Sequence, residues 1–282
     1  MALSGDGGDE TFAGYRRYRW HMHEEHVRHW LPLSVRRPLF RLLGGIYPKA
    51  DWAPKMLRAK TTFQALARDS MAAYFHSVSS VSDELRGRMF SPRFKQELQG
   101  YQAIEVMRRH AVHAPEHPLS AIQYLDYQTY LVGDINTKVD RASMAHALEV
   151  REPLMDHPLI EWMAGLPPEL KLHGTEGKYV FKKAMELYLP NEVLYRPKMG
   201  FAVPLASWLR GPLRVQARAA LLGPHMTDSG LFDMDFLGEM VDHHQQGLRD
   251  YSTEIWALLM FEAFLRRQAS TPVQPLTHWE YA

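Results

Sequence analysis

A strand end that runs straight into a glycine-and-acid loop, with nothing strand-like after it, constrains this chain more than any other feature. The loop "SGDGGDE", Ser4 to Glu10, places three glycines and three acids in seven residues. Glycines at Gly5, Gly7 and Gly8 let a backbone take positive φ angles and come close to another group, while Asp6, Asp9 and Glu10 offer only oxygen ligands or acceptors. Such a loop suits a hard cation, and its usual place is the carboxyl edge of a parallel sheet. Beyond Leu3, however, no segment reads as a strand. An isolated strand cannot satisfy its own backbone groups, so the sequence reads as the latter part of something larger.

The rest of the chain reads as helices. Asp9 to about Val27 predicts one helix with acids in its first turn. Prolines 32, 38, 48 and 54 with Gly44 and Gly45 predict short helices joined by turns over 31–54. Apolar spacing from Met56 to Val112 predicts four or five helices, broken near 77–82, at Ser91 and Pro92, and at Gly100. Further helices are predicted near 120–131, 134–147, 156–164, 175–188, 205–209, 213–222 and 234–246. A last amphipathic helix, "STEIWALLMFEAFLRR", has Ile255, Leu258, Leu259, Phe261 and Phe264 at core-facing intervals and Glu254 and Glu262 elsewhere.

Composition excludes several function classes. With 33 Lys plus Arg against 32 Asp plus Glu, global charge gives no argument for nucleic acid or anionic membrane as a partner. The absence of cysteine removes disulfides, thiolate metal sites and a cysteine nucleophile. No signal-peptide pattern is present, and no apolar run approaches the roughly eighteen residues of a membrane span, which predicts a cytoplasmic protein.

Four motifs can carry chemistry, each beside a plainer reading. "SGDGGDE" can present one carboxylate to a reacting centre and another to Mg²⁺, or be a turn into an acidic helix start. Lys178, in "HGTEGKYVFKK", sits where the helix dipole disfavours a cation by about 0.3–1 kcal/mol; it can share an anion with free N–H groups or point to solvent. "GDINTKVDRASMAHALEVREPLMD" mixes Lys138, Asp140, Arg141, Glu149 and Arg151 with apolar residues, as a buried polar network would, with surface ion pairs as the alternative; spacing puts Asp134, Lys138 and Arg141 on one side. "YRPKMGFAVP" offers Arg196 and Lys198 in a Pro-bounded loop, a phosphate-contacting flap or a connector. The histidines of "HMHEEH" lack metalloprotease spacing and read as a solvated helix.

Together these motifs resemble the asparagine synthetase family, in the C-terminal part of its synthetase domain. "LSGDGGDETFAGY", "DINTKVDRASMAHALEVREPLMD", "GLPPELKL" with "GKYVFKKAMELYLP", and "RPKMGFAVPLASWL" carry the resemblance. It implies the latter part of an α/β, adenine-nucleotide-hydrolase-like ATP-pyrophosphatase domain over 1–270, predominantly α in this portion, with a tail at 271–282. The implied reaction uses ATP and Mg²⁺ to adenylate aspartate or a related carboxylate, and ammonia from a glutaminase domain not in this chain displaces AMP. By motif position Asp9 resembles the ligand of Mg²⁺-pyrophosphate and Asp6 the acid near the acyl centre. Lys178 resembles the lysine that stabilises developing phosphate charge, and the resemblance implies that Ser4, Gly5, Gly7 and Lys198, with Lys178, line the nucleotide site.

Two family elements are absent from this sequence: the "SGGxDS" pyrophosphate loop and the N-terminal glutamine-hydrolysing cysteine. The expectation is therefore a fragment, or a chain completed by another, that does not release pyrophosphate from ATP alone. The segments "TKVDRASMAHALEVREPLMDH" and "WALLMFEAFLRR" look most like bacterial members linked to exopolysaccharide gene clusters, so a different acceptor carboxylate is one alternative. A non-catalytic remnant acting as a binding subunit is another.

Overall fold

A computed structural model describes residues 1–47, 59–196 and 203–270. In chain order the helices are α1 (Gly8–Thr11), α2 (Arg16–Trp30), α3 (Leu33–Ile46), α4 (Lys60–Leu66), α5 (Ser70–Val78), α6 (Asp83–Met89), α7 (Pro92–Glu97), α8 (Glu105–Ala111) and α9 (Pro118–Asp126). A π-helix, Tyr127–Asn136, joins α9 to α10 (Thr137–Met144). There follow a 3₁₀ turn (Pro153–Met155), α11 (His157–Ala164), α12 (Pro168–Lys171), α13 (Tyr179–Met185), α14 (Asn191–Leu194), α15 (Leu205–Arg210), α16 (Arg214–Leu221), α17 (Pro224–Ser229), α18 (Met234–Gln245) and α19 (Ser252–Ser270). The short strands are β1 (Ala2–Leu3), β2 (Val150–Arg151), β3 (Leu172–His173) and β4 (Glu176–Gly177).

The chain is mostly helical, as expected, but the opening strand is not alone. β1 pairs in parallel with β2, Ala2 opposite Val150 and Leu3 opposite Arg151. β3 and β4 form an antiparallel hairpin where the start of a helix was expected. Both strand pairs are two residues wide, too short for alternation to register in sequence.

Two compact units are present: Met1–Val78 with Ala103–Lys198, and Ser79–Gln102 with Met199–Ala282. The first is built around Tyr18, Tyr74, Leu119, Ile122 and Leu125. Within it the Asp126 carboxylate accepts from Arg17 Nη2 at 2.6 Å and from the Tyr18 hydroxyl at 2.5 Å, and Arg17 Nε donates to the Tyr74 hydroxyl at 3.0 Å. The second is built around Leu209, Leu221, Leu237, Met240 and Ile255.

Tertiary packing overrides local signals in several places. The helix expected over 9–27 breaks between α1 and α2, where Ala13 takes a positive φ of 54°. α3 continues through Pro38, Gly44 and Gly45 rather than dividing. It is held by stacking of Phe40 on Phe63 (6.0 Å) and by the Arg36 guanidinium, which donates to the carbonyls of Leu66, the last residue of α4, and Arg68 just beyond it. No break separates α9 from α10, because the π-helix bridges the glycine at 133. In α19, Ile255 and Leu258 are buried as expected, but Phe264 is exposed and Glu262 is buried. The proposed tail at 271–282 lies outside the described residues.

Candidate active site

The site is assembled where the opening loop meets two distant segments of the same unit. Hydrogen bonds from Ala2 N–H to the Glu149 carbonyl (2.8 Å) and from Ser4 N–H to the Arg151 carbonyl (2.9 Å) lay the loop along "EVREPLM". Of the three loop glycines, Gly7 alone takes a positive φ, 79°. A Cβ there would also strike the Met155 side chain. Gly5 has open space around it, so neither conformation nor packing demands a glycine at that position.

Lys178 meets Asp9 from far along the sequence. Its ammonium lies 3.2 Å from Asp9 Oδ2, with the two side chains 25% and 30% exposed, so the pair is reachable by a ligand. The approach is fixed by backbone. Lys178 N–H donates to the Phe12 carbonyl at 2.7 Å, Phe12 stacks on Phe181 of α13 at 4.7 Å, and Gly177 abuts the Ala13 carbonyl. Lys178 is the residue that caps α13, and it does so in the left-handed region, φ 59°, with no side-chain cap. For a non-glycine residue that conformation costs roughly 1–2 kcal/mol, and Ala13 opposite carries the same cost. Two strained backbone positions thus face each other beneath one ion pair, an arrangement that structures retain where function requires it.

Asp6 is held differently. Ser4 Oγ bonds its carboxylate, and Asp6 N–H donates to Ser4 Oγ at 3.2 Å. Its charge is felt at Glu152, whose carboxyl is pushed up first by burial and then by Asp6 and Asp140. Glu152 was not singled out from sequence; an acid directly before Pro153 in "EVREPLMD" was the available signal. Lys178 thus pairs with Asp9, while Asp6 bonds Ser4 and its charge acts on Glu152.

Behind the loop, Glu10 is buried and accepts from the Tyr15 hydroxyl at 2.7 Å; burial raises its pKa. Gln123 Nε2 donates to the carbonyls of Glu10 (2.5 Å) and Thr11 (3.2 Å), tying the end of α1 to α9. The third motif does not form a buried network. Asp134, Lys138, Asp140, Arg141, Glu149 and Arg151 are all exposed, and Arg151 pairs with Glu149 at 2.7 Å in solvent. Arg196 is exposed, and Lys198 lies outside the described residues.

Among the described residues no three His, Asp or Glu side chains converge as a metal cage. A single carboxylate beside an ammonium does not fit an all-protein cation site. It does fit Mg²⁺ that arrives on a polyphosphate, because phosphate oxygens and water then supply the other ligands.

The sequence matches the asparagine synthase family over residues 1–266. A Mycobacterium bovis protein assigned as an asparagine synthetase (glutamine-hydrolysing) is 30% identical over 267 residues, covering 93% of this chain and 38% of that protein. Asparagine synthetase (glutamine-hydrolysing) 1 of Bacillus subtilis is 27% identical over 269 residues, covering 93% and 39%. Amidase chyE of Penicillium rubens is 23% identical over 263 residues, covering 86% and 38%. The chain thus spans less than two-fifths of the length of these relatives. No solved structure matches it. With the family match running from the opening loop into α19, the chain belongs to the asparagine synthase family.

Proposed function

We propose that this chain supplies the latter part of a synthetase domain that forms an amide from a carboxylate, ATP and ammonia. The observation that carries the reading is the contact of Lys178 with Asp9 at 3.2 Å, between motifs far apart in sequence. Adenylation of a carboxylate and its displacement by ammonia both build charge at the α-phosphate, and a preorganised donor at such a position is typically worth about 10²–10³ in rate. Lys178 is suited to that role. Its backbone is fixed by Phe12 and Gly177, and its ammonium is parked on a carboxylate until phosphate oxygens arrive. Asp9 would hold the Mg²⁺ that accompanies the pyrophosphate, while Ser4, Gly5 and Gly7 would follow the phosphates along the loop. Asp6, beside Glu152, would face the acyl centre. Lys198 would close over the nucleotide.

Asparagine formation from aspartate is the reading favoured by the relatives named as asparagine synthetases. A different acceptor is the second reading, favoured by the similarity over 86% of this chain to a relative named as an amidase. Ammonia would come from a glutaminase domain elsewhere.

Titration of the chain with Mg²⁺-pyrophosphate by calorimetry tests the proposal. Binding should be seen, and Asp9→Asn and Lys178→Ala should each weaken it by about tenfold or more, as loss of a charge-assisted phosphate contact does. Affinity untouched by both substitutions would remove the pair from the nucleotide site. The chain alone, given ATP, aspartate and ammonia, should release no pyrophosphate.

A further inference from the structure

Helix α1 ends with its glycine one residue away from where the backbone asks for one. Phe12 closes the helix, Ala13 takes the left-handed conformation at φ 54°, and Gly14 N–H donates to the Asp9 carbonyl at 2.7 Å. This is a Schellman ending, in which the left-handed position, here held by Ala13, is the one that glycine ordinarily fills. Gly14 itself lies outside the left-handed region, so its own φ makes no demand for glycine.

The residue after the left-handed one commonly carries an apolar side chain that packs back on the helix. At Gly14 that side chain is missing, and the Asp9–Lys178 pair occupies its place. An added Cβ would overlap Asp9 Oδ1 and Lys178 Cε and stand 2.9 Å from Asp9 Cγ. These three nearest atoms all belong to the side chains of the pair, whose charged ends meet at 3.2 Å. Gly177 differs, because a Cβ there meets the Ala13 carbonyl, which is backbone. A methyl at Gly14 is accommodated by swinging two side chains aside. What gives way is the ion pair, not the fold.

We propose that Gly14 is a positioning residue for the Lys178–Asp9 pair, a glycine so that ammonium and carboxylate can close across it. A side chain at this position parts the two charges and leaves the unit folded. Parting them should also cost Mg²⁺-pyrophosphate affinity, a consequence that rests on the function proposed above.

Reductive methylation with ¹³C-formaldehyde keeps each lysine charged and gives it an NMR signal; the signal absent from Lys178→Arg is that of Lys178. In the parent chain Asp9→Asn should move that signal. In Gly14→Ala the signal should no longer answer Asp9→Asn, while circular dichroism and the urea midpoint stay near those of the parent. The exchange Ala13→Gly with Gly14→Ala moves the glycine to the position that the helix end prefers, and it should be folded and still lack the response. A parent signal that ignores Asp9→Asn, a response retained in Gly14→Ala, or a response restored by the exchange would overturn the proposal. So would failure of both chains to fold, since the glycine would then serve the backbone. Calorimetry adds a second readout: Gly14→Ala should weaken Mg²⁺-pyrophosphate binding by about tenfold. A parent chain that binds no pyrophosphate would defeat the nucleotide site alone, because the Lys178 signal still decides the role of Gly14.

Discussion

Gly177 lies so close to the Ala13 carbonyl that a Cβ on it would overlap the oxygen, and the next residue, Lys178, donates its N–H to the Phe12 carbonyl at 2.7 Å. The obstruction is backbone, which cannot rotate aside. Gly177→Ala should therefore cost about 1–3 kcal/mol, read as a lower urea midpoint. Gly5→Ala, with nothing within 4 Å of the added methyl, should stay within about 0.5 kcal/mol of the parent.

Substitution at Lys178 separates stability from ligand affinity. Lys178→Gly removes both the ammonium and the left-handed strain at φ 59°. Relief of roughly 1–2 kcal/mol of strain is set against the greater freedom of an unfolded glycine, about 0.4–1 kcal/mol. The glycine variant should thus be as stable as the parent or about 1 kcal/mol more so, and still lose pyrophosphate affinity. Thermal melts alongside calorimetry give both readouts; a glycine variant much less stable than Lys178→Ala would contradict the strain.

The Arg17–Asp126 pair is the polar anchor of the first unit, with the Asp126 side chain 1% exposed. Asp126→Ala strands the guanidinium together with the Tyr18 hydroxyl and should cost about 3–5 kcal/mol in denaturant unfolding. Asp126→Asn keeps an acceptor for Tyr18 and should cost less.

Burial holds the His21 imidazole neutral, pushed down to about 4, between Ser70 Oγ (3.2 Å), Glu25 (3.5 Å) and the Tyr74 ring. An unfolded histidine takes its proton near 6.5, so between that pH and about 4 the unfolded state binds more protons. Stability is full above this window and falls as pH drops through it, by at most about 1.4 kcal/mol per pH unit. His21→Gln should flatten the slope of unfolding free energy between pH 6.5 and pH 4, and an unchanged slope would assign it to other groups.

The helices were legible where a stop or start signal coincided with apolar spacing. Ser82 and Ser91 accept from the N–H groups of Leu85 and Phe94, and α6 and α7 begin where those residues stand. The site motifs were also visible, since glycines beside acids and a lysine at a helix start contradict local preference. Hidden from sequence were the pairing of β1 with β2, the passage of α3 through Pro38, the burial of Glu262 and the part played by Glu152.

The order of residues by itself determined most of the helical segments and which motifs stand out as chemically unusual, because capping, spacing and charge act within a few residues. Only the tertiary structure decided that Lys178 meets Asp9 while Asp6 stays with Ser4, and that α3 faces its aliphatic residues outward. Those outcomes depend on contacts between distant segments: a carbonyl too close for a side chain, a phenyl stack, a guanidinium closing a neighbouring helix. Taken together, such contacts outweigh the local preferences that they override.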